Sequence, residues 1–244
     1  MAFAKNTDSV AFHAIETVSG RYVDVADPKP ESICITDIAW SLSRQARFAG
    51  HTMSEEVWSV AQHAVFVEDL LNLAMDRDGN GCQLSDSLND WMSRKCGTHP
   101  VEVTDFLSLD WWMDPSFDPR AVLLGALHHD DSEAYLIDLP SPVKRILPLR
   151  EPYKKLEGVV TEVIGKALDL PKLTKNEHEL IVWADLMALQ IEAANLMPSR
   201  GRGWSMDLPI MNMIDVHLFP QKVHHWQTAY NDFLSRDDEL RYRH

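Results

Sequence analysis

The chain has 244 residues, 45% of them apolar, enough for one globular domain spanning 1–244 with a sizeable core and no need of a second. Its 37 acidic against 23 basic side chains leave a net charge of −14, a poor match to nucleic-acid polymers and anionic membranes, so a small anionic substrate would need local cations of its own. No apolar run approaches the roughly 18 residues of a membrane span, the polar N-terminus MAFAKNTDSV lacks the plan of a signal peptide, and three cysteines, Cys34, Cys82 and Cys96, have no ligand spacing, which together predict a cytoplasmic protein with reduced thiols.

In chain order, AIETVSGRYVDV reads as a short hairpin turning at Ser19-Gly20. Thr36 opens TDIAWSLSRQARF, where Ile38, Leu42 and Ala46 recur at helical spacing and Gly50 follows the pattern. Ser54 then reads as the cap of a helix through EEVWSVAQHAVFVEDLLNLAM, with Glu55 and Glu56 complementing its dipole. From about Asp76 to Phe117 no period is sustained, and the stretch DGNG with Trp91, Trp111 and Trp112 reads as an insertion. Asp118 followed by Pro119 predicts a helix running to about Leu136, where LPSP stops it. KKLEGVVTEVIGKAL gives another helix, Thr174 with Glu177 makes a capping-box signature before HELIVWADLMALQIEAANLM, and a last helix is expected from about Gln221 to Leu234. The predicted class is all-α, with a small N-terminal β-hairpin and an inserted loop region.

Three of these helices carry polar groups on apolar stripes. ALHHDDSEAY puts His129 and Glu133 four apart, on one face of a continuous helix, with Asp130 about 100° round from His129. His63 lies among Val60, Phe66 and Val67, and Asp185 lies on the stripe of Ile181, Ala188 and Leu189. A carboxylate on an apolar stripe is costly unless paired or coordinated. Taken singly, His63 reads as a hydrogen-bonded core histidine and Asp185 as a buried ion pair to an arginine. Taken together, His63, His129, Asp130 and Asp185 form a two-His, two-Asp set suited to one divalent cation with positions left for water. Trp40, Trp58 and Trp183 fall within helical patterns and read as core, Tyr135 as packing beneath the site, and His224-His225 as a solvated face.

SVAQHA, ALHHDDSEAYLIDLPSPVK and WADLMALQIEA resemble the H…HD…D pattern of the HD-domain phosphohydrolases, specifically the branch of bacterial 5′-deoxynucleotidases and phage dATP triphosphohydrolases. The likeness continues upstream through SGRYVDVADPKPESICITDIAWSLSRQARFAGHT and covers most of residues 15 to 197, the insertion apart. Ile137 stands where glycine is usual. The resemblance selects His129-Asp130 as the HD pair, leaving His128 and Asp131 on other faces.

The resemblance implies an HD-domain helical bundle, with one metal ion (Mn, Co, Fe, Ni or Zn) on His63, His129, Asp130 and Asp185. It makes Glu133 the acid–base residue and Asp138 a carboxylate near the scissile bond and sugar. Arg47 would contact the phosphate through its planar fork, with Lys144 and His51 as further phosphate contacts. A triphosphate substrate would bring Mg²⁺ of its own. The implied reaction is attack at the α-phosphorus of a 2′-deoxynucleotide, with dATP to deoxynucleoside plus triphosphate expected first. A 5′-deoxynucleotidase acting on dNMPs and a non-catalytic metal-binding HD module are the alternatives. Relatives in this branch are homo-oligomers, and the same is expected here.

Overall fold

Gly20, at φ 80°, reverses the chain between strands β1, Ala14–Glu16, and β2, Tyr22–Asp24, in a conformation that side chains disfavour. The strands pair antiparallel with Ala14 opposite Asp24 and Glu16 opposite Tyr22. Asp37 anchors this hairpin: its carboxylate accepts from Thr17 Oγ1 at 2.8 Å, Ser19 Oγ at 2.7 Å and the Ser19 backbone N–H at 3.1 Å. The computed structural model describes residues 12–75, 87–88, 117–204 and 222–242. The expected insertion at about 76–117 lies outside them apart from Ser87, Leu88 and Phe117, as do Cys82 and Cys96.

All other regular structure in the described residues is helical. Helix α1 spans Ile35–Leu42 and is shorter than the TDIAWSLSRQARF pattern. The chain after it turns extended at Ala46, which bridges antiparallel to Ser59. That pairing also displaces the next helix start. Residues 58–60 are drawn into hydrogen bonds with the strip beside α1, Arg47 N–H donating to Trp58 O and Val60 N–H to Gln45 O. Ser54 therefore caps nothing, and helix α2 runs Val60–Met75 with the Ser59 hydroxyl accepting the Gln62 N–H at 3.2 Å.

Helix α3, Pro119–Leu127, starts as the sequence predicts, with the Asp118 carboxylate accepting from Arg120 N–H and Pro119 in the first turn. It stops at Leu127 rather than near Leu136. At this end the His129 ring nitrogen Nδ1 donates to Ala126 O at 2.8 Å, the carbonyl that the N–H four residues on would use in a continuing helix. Tight turns carry the chain to α4, Glu133–Leu136, so His129 and Glu133 do not share a helical face. After α5, Ser141–Lys144, come α6, Arg150–Ala167, and α7, Lys175–Leu196, whose capping box between Thr174 and Glu177 forms in both directions. The last helix, α8, is Trp226–Tyr242, beginning and ending later than the apolar pattern indicates.

Helix α2 is the centre of the packing and contacts α3, α7 and α8. Its Val67, Leu70, Leu71 and Ala74 join Val122 and Ala126 of α3 and Leu180, Met187 and Ile191 of α7 in one apolar core. Its Val60, Ala61 and Ala64 join Ile38 and Leu42 of α1, Val160 and Ile164 of α6 and Phe233 of α8 in another. Burial of each such leucine or isoleucine contributes about 1.5–3 kcal/mol, which is why a helix buried on most sides tolerates polar residues only where they meet partners. Trp58 and Trp183 are buried as expected, and Trp40 packs edge-on to Trp226 at 5.0 Å. No helix among the described residues is long and apolar enough to cross a membrane.

Candidate metal centre

His63 on α2, Asp185 on α7 and the residues just after α3 meet where these three helices converge. His63 is fully buried, and one donor atom each from His63, His129 and Asp185 lie within 4.8 Å of one another. His63 Nε2 is 3.1 Å from Asp185 Oδ1, and His129 Nε2 is 4.0 Å from the same oxygen. Asp130 Oδ2 lies 3.2 Å from His129 Nε2 and 3.6 Å from His63 Nε2. Ligands each about 2.1 Å from one ion stand about 3.0–4.2 Å apart, so the His63, His129 and Asp185 separations suit a shared cation.

The ring hydrogen bonds decide which nitrogens face inward. The Ala126 carbonyl can only accept, so His129 Nδ1 carries a proton and Nε2 is the nitrogen turned to the cluster. His63 Nδ1 lies 2.6 Å from Glu192 Oε1, a carboxylate–imidazole pair that turns its Nε2 to the cluster in the same way. Both Nε2 atoms are buried and have no hydrogen-bond partner. A buried ring nitrogen without a partner is expensive, and a cation that takes the place of any proton on it supplies one. The His63, His129 and Asp185 group can thus hold a metal ion, and mixed imidazole and carboxylate donors do not select among the first-row divalent metals.

Charge is concentrated here. Burial raises the pKa of Asp130, but His129, His63 and Arg47 outweigh it and hold the carboxyl well below its usual range. Burial lowers that of His129, but Asp130 and Asp185 push it up to about 9, so an incoming cation displaces a proton. Arg47 Nε donates to Glu192 Oε2 at 3.2 Å, and its Nη1 is 3.6 Å from Asp130 Oδ2. The next two residues, Phe48 at φ 55° and Ala49 at φ 51°, occupy the left-handed region, a cost typical of loops held for a functional purpose.

A cavity of about 620 Å³ opens over this cluster, a volume suited to a nucleotide-sized molecule. Arg47, Asp130, Glu133, Asp138 and Asp185 line its polar part, with Phe48, Leu186, Leu189, Met197 and Trp204 as an apolar wall. His51 is exposed at the rim. A larger cavity of about 750 Å³ between α2 and α8 shares no residue with the cluster, so donor chemistry, not volume, locates the site.

Glu133 is buried, its Oε1 bonded to Lys144 Nζ at 3.1 Å and its Oε2 unpartnered. Burial, then the like charges of Asp130 and Asp138, push it up to about 9 against the pull of Lys144 and Arg47. Burial also raises Asp138. Gln45 positions both: its Nε2 donates to Glu133 O and its Oε1 accepts from Asp138 N–H, each at 2.9 Å. The structure thus brings Arg47, His51, His63, His129, Asp130, Glu133, Asp138, Lys144 and Asp185 to one cavity and its floor. Asp185 meets His63 and His129, and no ion pair to an arginine forms at it among the described residues.

His128 and Asp131 face the other way. His128 lies between Asp131 Oδ2 at 2.7 Å and Asp237 Oδ1 at 2.8 Å, and Arg241 Nε bonds Asp237 at 2.7 Å. Burial lowers the pKa of this imidazole, but the two aspartates outweigh it and push it up to about 9. The sequence reading missed Glu192, Gln45 and Asp237. Glu192 had a signal: it falls seven residues after Asp185, on the same side of the helix.

The chain is 28% identical over 228 residues to the uncharacterized protein YfdR of Escherichia coli K12, covering 93% of this chain and 94% of that protein. Over 73 residues it is 40% identical to an uncharacterized protein of Rhodobacter capsulatus, covering 30% of this chain and 37% of the relative. No family model matches the chain. Neither relative's name states an activity, so a functional reading rests on the site.

Proposed function

We propose that this chain is an HD-domain, metal-dependent phosphohydrolase of 2′-deoxynucleotides. The observation that carries the reading is the pair of buried, unpartnered Nε2 atoms of His63 and His129 facing Asp130 and Asp185 beneath a nucleotide-sized cavity edged by Arg47. His63, His129, Asp130 and Asp185 would hold the ion. When bound, such an ion lowers the pKa of a water and polarises a phosphoryl oxygen.

The chain's own residues supply the rest. Arg47 binds the α-phosphate, where a planar guanidinium offers paired donors. Water adds at phosphorus as the bond to the 5′-oxygen breaks, and Glu133 passes the proton from that water to the leaving oxygen. Asp138 sits beside the scissile bond. A dNTP gives deoxynucleoside and triphosphate; a dNMP gives deoxynucleoside and phosphate. The resemblance places dATP first.

One observation favours the second reading, a 5′-deoxynucleotidase. Lys144, the cation expected to meet distal phosphates, is held between Glu133 and Glu157 at 3.1 Å each, so its charge is already offset. The test is incubation of the protein with Mn²⁺ or Co²⁺ and a panel of dNMPs, dNTPs and NTPs, with products identified. Triphosphate from dATP supports the first reading and phosphate from dAMP the second. Tight metal binding with no product from any nucleotide leaves a non-catalytic module and overturns both.

A further inference from the structure

Glu192 sits at the junction between the metal position and the phosphate position. It is fully buried on α7, and its two oxygens point at different residues. Oε1 meets His63 Nδ1 at 2.6 Å, and Oε2 accepts from Arg47 Nε at 3.2 Å. The Nη1 group of Arg47, by contrast, is 3.6 Å from Asp130 Oδ2, too long for a hydrogen bond, so the terminal edge of the guanidinium at the cavity stays available. Charge agrees: Asp130, Asp185 and Glu192 carry three negative charges, Arg47 offsets one, and a divalent cation offsets the other two.

We propose that Glu192 is a positioning residue that couples the two halves of the centre. It turns Nε2 of His63 to the metal and holds Arg47 by its Nε edge so that its terminal nitrogens meet a phosphate oxygen. The inference rests on the phosphohydrolase reading, but its test needs no turnover. Any failure of hydrolysis is therefore read separately.

Glutamine at this position has one accepting oxygen where glutamate has two. It can satisfy His63 or Arg47, and its amide N–H groups oppose the other donor. In the full-length protein, Glu192→Gln should weaken Mn²⁺ binding, followed by electron paramagnetic resonance titration, by roughly 10- to 100-fold. Binding of inorganic phosphate to the Mn²⁺-saturated protein, followed by calorimetry, should weaken by roughly tenfold. Arg47→Lys lacks the Nε–H edge but keeps the charge, so Mn²⁺ affinity should stay within about threefold while phosphate binding falls. The two changes together should cost less in phosphate affinity than the sum of each alone, because they break one contact.

An unchanged Mn²⁺ affinity in Glu192→Gln, or fully additive phosphate losses, overturns the proposal. Wild-type protein that binds no Mn²⁺ overturns the metal centre and the proposal with it. Should the variant fail to fold, ¹⁵N imidazole spectra of the Zn²⁺-loaded wild type decide the point: a proton on His63 Nδ1 supports the coupling, and a proton on Nε2 overturns it.

Discussion

Lys144 and Glu133 form an ion pair inside the cavity wall, Nζ to Oε1 at 3.1 Å, with Glu157 on the other side of the same ammonium. Lys144, expected as a further phosphate contact, thus also touches the candidate acid–base carboxyl, whose pKa its charge lowers.

Lys144→Ala should therefore impair dAMP and dATP alike, lowering kcat/KM for both by roughly tenfold, the rate equivalent of about one pKa unit at an acid–base group. Steady-state kinetics with the two substrates check this. A rise in KM confined to dATP would return Lys144 to the phosphate-binding role.

Asp130→Ala should abolish metal binding and activity together. It removes the oxygen that faces both inward imidazole nitrogens and strands Arg47 beside an unbalanced cluster. Metal analysis after dialysis of the folded variant is the measurement, and full occupancy would refute the ligand assignment.

Glu133→Gln keeps the shape of the cavity and removes the proton-handling group. Turnover should fall by roughly 10²- to 10⁴-fold while Mn²⁺ and nucleotide still bind. Near-normal turnover would transfer the role to Asp138, the next carboxylate lining the cavity.

Ile137→Gly tests the backbone. Ile137 adopts φ 66° and ψ 148° with its side chain 63% exposed, a conformation that a β-branched residue disfavours and glycine accepts freely. Relief of strain of about 1–3 kcal/mol exceeds the glycine entropy cost of about 0.5–1 kcal/mol, so urea unfolding should show a gain on the order of 1 kcal/mol. Ile137→Ala should show none.

Asp237→Asn removes one of two carboxylates gripping the buried His128 and should destabilise the fold by on the order of 3 kcal/mol. Because His128 is raised to about 9 in the folded chain, this loss should be full below about pH 6.5, the usual histidine value, and should shrink as pH rises through about 9. Chemical denaturation of both proteins at pH 6 and pH 9.5 compares the two limits, and a difference that grows with pH would contradict the charged pairing.

What the sequence determined by itself is short-range. The Asp118-Pro119 start of α3 and the Thr174–Glu177 box of α7 each depend on contacts within a few residues, which no later packing disturbs, and the Ser19-Gly20 turn was legible from the glycine it needs although Asp37 anchors it from a distance. The polar residues on apolar stripes, His63 and Asp185, were legible too, because a buried polar group signals a missing partner whatever that partner is. The identity of each partner was decided by the tertiary structure alone. Ser59 displaced Ser54 as the cap of α2 because Ala46 arrives beside it, and Glu192 became the anchor of His63 and Arg47 because α7 packs along α2. Lys144 meets Glu133 across the short connection from α4 to α5. Local hydrogen bonds are encoded in spacing, whereas a charge accepts whichever opposite charge the packing of distant elements brings within about 4 Å.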